Sequence, residues 1–147
     1  NLRFGNPDAS DAEVQQAAEI AQAMEFIQEK PDRFDSTIAQ GGTNVSGGQK
    51  QRLTIARAIA KHPKVFVFDD SFSALDLKTD AALRKALGEQ VQDSTMIIVA
   101  QRISTILHAD QILVLEEGKI VGKGTHEELL AKQGEYYQLY HGMFELS

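Results

Sequence analysis

The chain has 147 residues, 42% hydrophobic and 24% charged, with 15 Lys and Arg against 21 Asp and Glu for a formal charge of -6. That size suits one domain or a large piece of one, and the composition excludes disordered, collagen-like and coiled-coil chains. The acidic balance argues against broad electrostatic binding to nucleic acid or anionic lipid, and the lack of cysteine excludes disulfides, thiolate zinc sites and cysteine nucleophiles.

The chain opens at Asn1-Leu2-Arg3-Phe4-Gly5 without a methionine, which suggests a piece cut from a longer one, and no signal-peptide pattern is present. Asn6-Pro7-Asp8 reads as a turn. Ser10-Asp11-Ala12-Glu13 then forms a capping box, followed by Val14, Ala17, Ala18, Ala21 and Met24 at helical spacing. Lys30 to Asn44, with Pro31, Gly41 and Gly42, reads as a helix end and an exposed loop. Ser46-Gly47-Gly48-Gln49 repeats the capping chemistry, and Leu53, Ala56, Ile59 and Ala60 carry an apolar stripe to the stop at His62-Pro63.

Val65 to Phe68 is a short apolar run ending in Asp69-Asp70, the pattern of a strand buried on both faces. Met96 to Ala100 and Gln111 to Leu115 are similar runs. Met96 to Ala100 is also the longest unbroken apolar stretch, far short of the roughly 20 residues that span a bilayer. Helical patterns lie between the runs, from about Lys78 to Val91 and around Ile103 to His108. Strand, helix, strand, helix, strand predicts a parallel sheet with right-handed crossovers. Lys119 to Gly122 reads as a hairpin partner for the third run, and Thr125 to Phe144 as two helices broken at Gly134. The expected organisation is α/β, with residues 1–61 as a helical subdomain and 62–147 as the later part of an α/β core.

Asp69 and Asp70 stand at the carboxyl end of a strand, where open parallel sheets gather ligands and where a carboxylate can hold Mg²⁺ directly or through water. Taken alone they read equally well as a solvated turn. Ser46-Gly47-Gly48 puts two residues without side chains at a helix start, where bare N–H groups can approach an anion; alone, this too reads equally as an ordinary cap.

The order of the motifs narrows the choice. Val45-Ser46-Gly47-Gly48-Gln49-Lys50-Gln51-Arg52, the strand with Asp69-Asp70, Ser73-Ala74-Leu75-Asp76 and Ala100-Gln101-Arg102-Ile103-Ser104-Thr105 follow one another at tight spacing. Together they resemble the signature motif, Walker B strand, D-loop and switch segment of the ATP-binding cassette (ABC) ATPase family, and the resemblance covers essentially the whole chain. It implies a partial P-loop ATPase fold, the helical subdomain plus the later strands and helices of the RecA-like parallel sheet. It implies ATP and Mg²⁺ as cofactors, Ser46, Gly47, Gly48, Gln49 and Asp76 at the nucleotide, Asp69 at the metal, and Asp70 and Gln101 as catalytic positions. The loop Ser36 to Asn44 resembles the exporter-type loop that touches transmembrane helices, which implies a place on the cytoplasmic face of the cell membrane. Arg52 and Arg57 read as structural or surface charges and not as ligands, His126, before Glu127-Glu128 at a helix start, reads as structural and not metal-binding, and the helical spacing of Tyr136, Tyr137 and Tyr140 packs the last helix.

Three departures from the family pattern stand out. The family's Gly-x-x-x-x-Gly-Lys-Ser/Thr loop is absent: the nearest match runs from Gly42 to Gly47, and Gly48 stands where Lys belongs. Residues 1–147 in isolation are therefore expected to bind ATP far more weakly than an intact domain. In addition, Asp70 replaces the usual Glu after the Walker B Asp, and Gln101 replaces the switch His, so both the positioning of water and the charge at the γ-phosphate weaken. In the family's dimer each nucleotide is shared between one chain's Walker B and switch residues and the other's signature. This predicts a heterodimeric exporter whose partner carries Glu and His at the matching positions, with no nucleic acid involved. A regulatory clamp that holds ATP with little hydrolysis, and a soluble non-transport ABC ATPase, are the alternatives.

Overall fold

The computed structural model describes residues 1–145 and divides into two compact units, residues 1–97 and 98–147.

The first unit opens with a 3-10 turn at Leu2–Phe4 and then α1, Asp11–Ile20. Ser10 Oγ accepts the Glu13 N–H while the Glu13 side chain accepts the Ser10 N–H, the reciprocal cap that the sequence spells out. The apolar stripe through Met24 does not remain one helix. Gln22 adopts φ 57°, its side-chain amide donates to the Glu19 and Ile20 carbonyls, and the chain restarts as α2, Met24–Gln28. A left-handed residue satisfies the last carbonyls of α1 and lets the two pieces turn, so Ala21, Ala23 and Phe26 are all buried.

After 3-10 turns at Arg33–Asp35 and Gln40–Gly42 comes α3, Gly47–Ile59, capped by Ser46 and Gln49. Its buried stripe of Leu53, Ile55, Ala56 and Ile59 packs on α1. β1 (Val65–Asp69), α4 (Leu77–Gln90) and β2 (Thr95–Val99) form a βαβ pair of parallel neighbours, with the Thr95 N–H donating to the Lys64 carbonyl at 2.9 Å. The amphipathic α4 buries Leu83, Leu87 and also Asp80, which is 2% exposed and holds the Arg84 guanidinium one turn on at 3.0 Å.

β1 departs from the sequence expectation. Phe66 and Phe68 are buried and stack at 5.6 Å, whereas Val65 and Val67 are 52% and 65% exposed. The strand is therefore covered on one face only. An uninterrupted apolar run shows that a strand has two apolar faces, but not that a layer is present to cover each.

In the second unit, which takes in the last residues of β2, a 3-10 turn at Ile103–Thr105 stands where the sequence suggested a helix to His108. The third apolar run is β3 (Ile112–Glu116), one strand of a two-stranded sheet among the described residues. It pairs antiparallel with β4 (Lys119–Gly124) through Glu117 and Gly118, both at positive φ. A two-residue turn of this kind matches strand twist and closes locally, giving the hairpin that the sequence suggests. α5 (His126–Ala131), capped by Thr125 and Glu128, and α6 (Glu135–Glu145) complete the unit. Ile103, Ile112, Val114, Leu129 and Tyr136 form its core. No helix among the described residues is long and apolar enough to cross a membrane.

Candidate functional site

The start of α3 is the feature from which the site is built. Ser46 Oγ accepts the Gln49 N–H at 3.1 Å, and Gln49 Oε1 accepts the Ser46 N–H at 3.1 Å. Both polar side chains are thus engaged in the cap. The amides of Gly47 and Gly48, at the first two helical positions, have no intrahelical acceptor by geometry and carry the positive end of the helix dipole.

The two glycines differ in what holds them. A Cβ on Gly48 would stand 3.0 Å from the Ala74 carbonyl oxygen, so packing inside the protein favours a glycine there. A Cβ on Gly47 would meet only the Ala74 methyl at an ordinary 3.8 Å, and its φ lies outside the left-handed region. Neither packing nor backbone conformation requires a glycine at 47.

The segment against which α3 starts is the turn after β1. Asp70 adopts φ 50°, a left-handed conformation that Asp tolerates better than most residues. Its carbonyl accepts from Ser73 Oγ at 3.2 Å and from Gln51 Nε2 at 3.3 Å. Gln51 Nε2 also donates to Ser73 Oγ at 3.1 Å, and its Oε1 accepts the Ala74 N–H at 3.0 Å. Asp69 and Asp70 are exposed, and their carboxylates make no hydrogen bond or ion pair among the described residues. The described residues contain no group of three or more acidic, His or Cys side chains able to hold a metal. One or two free carboxylate oxygens suit Mg²⁺, which keeps several waters and takes other ligands from substrate phosphates.

Asp76 caps α4. Its Oδ1 accepts the Thr79 N–H at 3.0 Å and its Oδ2 accepts Thr79 Oγ1 at 2.7 Å. The backbone hydrogen bond from Thr79, and then the one from its hydroxyl, hold the Asp76 carboxyl below the usual carboxylate range. Gln101 lies in the second unit, exposed and just before the turn at Ile103–Thr105.

The first unit thus brings Ser46, Gly47, Gly48 and Gln49 beside the 70–76 turn. Sequence reasoning passed over the residue that joins them, Gln51. Its only signal is its place two residues beyond the cap. Its partners lie 19 to 23 positions away along the chain, where no local pattern reaches.

The ABC transporter family model matches residues 3–73. A Staphylococcus aureus (strain NCTC 8325 / PS 47) protein described as "Putative multidrug export ATP-binding/permease protein" is 47% identical over 140 residues, covering 95% of this chain and 24% of that protein. A relative so described from the bovine strain RF122/ET3-1 is 46% identical over the same length. The solved structure of a bacterial Atm1-family ABC exporter with ATP bound superposes with a TM-score of 0.91 at 35% identity, covering 97% of this chain and 25% of that one. The chain is homologous to the nucleotide-binding domains of ABC transporters. It spans about a quarter of the length of these relatives. The α/β reading, with a partial ABC ATPase fold, holds. In this ABC domain portion Arg52 is a structural residue: it donates to the Gln22 carbonyl at 2.7 Å and lies over the Phe26 ring at 4.8 Å.

Proposed function

We propose that this chain is the later portion of the nucleotide-binding domain of an ABC exporter, in which ATP binding and hydrolysis at a cassette dimer drive export from the cytoplasmic face of a membrane. The observation that carries this reading is the helix start at Gly47-Gly48, whose first glycine is required by neither packing nor backbone conformation, beside a strand end with two unengaged carboxylates. Ser46 shapes that helix start, and Gly47 and Gly48 present amide donors to the terminal phosphate of a nucleotide held mainly by the second subunit. Asp69 holds Mg²⁺ directly or through water, and the ion when bound neutralises phosphate charge. Asp76 keeps its negative charge at the mouth of α4.

Asp70 orients the attacking water from a carboxylate one methylene shorter than Glu. A retreat of roughly 1–1.5 Å costs on the order of 10²-fold where positioning supplies the catalysis. Gln101 donates a neutral hydrogen bond where a His would also carry charge. Both weaken the chain's own site and leave its signature competent for a partner. The proposal is therefore a heterodimer with a non-identical second ABC subunit, with residues 1–61 as the helical subdomain and 62–147 in the ATPase core.

A cleft of about 820 Å³ whose lining mixes Phe26, Phe34 and Leu53 with Arg3, Asp11 and Arg33 lies beside the loop from Ser36, and it supports docking of the ends of transmembrane helices there through both apolar and charged contacts. Ser36 Oγ is buried in that region with no hydrogen-bond partner among the described residues. The test is ATPase activity of the full-length subunit with its partner after Asp70→Glu combined with Gln101→His. A rise of tenfold or more in turnover at this subunit's site is expected from restored positioning. Full-rate hydrolysis by the unaltered subunit as a homodimer would rule out the asymmetric arrangement. If ATP is held at this site but no variant hydrolyses it, the site is a regulatory clamp.

A further inference from the structure

Three consecutive side chains at the start of α3 reach three different segments. Lys50 Nζ donates to the Gly41 carbonyl at 2.8 Å in the preceding loop, and Arg52 reaches the Gln22 carbonyl between α1 and α2. Gln51 reaches the turn after β1 and makes three hydrogen bonds there. Both amide hydrogens go to Asp70 and Ser73, and its oxygen accepts the Ala74 N–H. The backbone N–H of Ala74 can only donate, so this contact fixes which end of the Gln51 amide faces it.

The bonded atoms matter more than their number. The Asp70 carbonyl belongs to a residue in a left-handed conformation, and Gln51 and Ser73 together hold it there. Ala74 is gripped from both sides: its N–H by Gln51, its carbonyl against Gly48. One side chain thus ties the backbone that carries the Asp70 carboxylate to the helix that opens with Gly47 and Gly48.

We propose that Gln51 is a positioning residue that locks the Asp70–Ala74 turn to the glycine-opened start of α3, so that the two move as one body. This rests on the reading that Asp70 and Gly47-Gly48 serve nucleotide sites. Because the glycines and Asp70 would then face different nucleotides, Gln51 provides a hydrogen-bonded link between the two within this chain. It touches no reacting atom itself.

The test uses the full-length protein that carries this chain, with Gln51→Met, which keeps length and volume but removes all three hydrogen bonds, and Gln51→Glu, which keeps an acceptor for Ala74. Amide exchange of the 70–75 segment is measured alongside kcat, KM for ATP and the thermal midpoint. Gln51→Met should speed exchange of the Ala74 amide about tenfold and lower kcat about tenfold, with KM within twofold and an unchanged thermal midpoint. Gln51→Glu should fall between the two. Unchanged exchange overturns the lock whether or not the protein hydrolyses ATP, and faster exchange with parental kcat overturns the positioning role. An unaltered protein without ATPase activity would fault the functional reading instead, and the exchange data would still judge the lock.

Discussion

Gly48 and Ala74 approach so closely that a methyl group on the glycine would press on a carbonyl oxygen at 3.0 Å. That contact is made to backbone, which cannot swing aside as a side-chain tip can. Gly48→Ala should displace the 73–76 turn and destabilise the protein by about 1–3 kcal/mol, as overpacking usually does. Gly47→Ala should fold as well as the parent, because its new methyl meets only ordinary contact, yet lose nucleotide-dependent activity. Thermal melts paired with ATPase assays separate the two. Parental activity in Gly47→Ala would show that nothing approaches this amide closely.

The carboxylates that cap α1 and α4 predict a sensitivity to acid. Glu13 is held below its ordinary range first by the hydroxyl and then by the backbone N–H of Ser10, and Asp76 first by the Thr79 N–H. A lowered folded-state pKa means that the stabilisation is present above the unfolded value and is lost as pH falls through the folded one. Melting temperature should therefore decline below about pH 4. Asp76→Asn keeps an acceptor for Thr79 but cannot titrate, so its melting temperature near neutrality should stay close to the parent's and its acid decline should be smaller. An identical decline in Asp76→Asn would exclude Asp76 as a source.

Arg52 fastens α3 to the break between α1 and α2 through a planar group that stacks on Phe26 while donating to the Gln22 carbonyl. Lysine has neither the fork nor the flat face. Chemical denaturation should show Arg52→Lys losing about 1 kcal/mol and Arg52→Ala about 2 kcal/mol. Equal stability of Arg52→Lys and the parent would mean that charge alone suffices.

In the second unit Tyr136 is 3% exposed and its hydroxyl lies 2.8 Å from His126 Nδ1. Burial, and then the neighbouring Tyr140, push its ionisation upward, so it remains a neutral partner for the imidazole at physiological pH. Tyr136→Phe retains the ring and leaves His126 without that partner, which should cost about 1 kcal/mol. Tyr136→Ala opens a cavity under Leu129 and should cost about 3–5 kcal/mol. Stability curves for the two variants give the ratio directly.

Much of the local structure was legible because its causes are local. The reciprocal caps at Ser10 and Glu13, Ser46 and Gln49, and Thr125 and Glu128 each need only four adjacent residues. The Glu117-Gly118 turn likewise follows from the residues at the turn and between the two flanking runs. The order of the glycine-opened helix, the Asp69-Asp70 strand end and the Ser73 to Asp76 turn was equally visible, and the homologues share the family that this order suggested.

The decisions that needed three dimensions concern groups far apart in sequence. The α1 stripe breaks at Gln22 because a left-handed turn there places Phe26 beneath Arg52, thirty positions from its carbonyl partner. β1 shows one open face because burial depends on which layers are present, which periodicity does not report. Gln51 passes for a surface polar residue until folding sets the 70–74 turn beside it. Amino-acid order by itself determined where the capped helices and the hairpin turn begin, since caps and turns are satisfied within a few residues. Only tertiary structure decided which of their polar groups meet, because a hydrogen bond is set by distance in space.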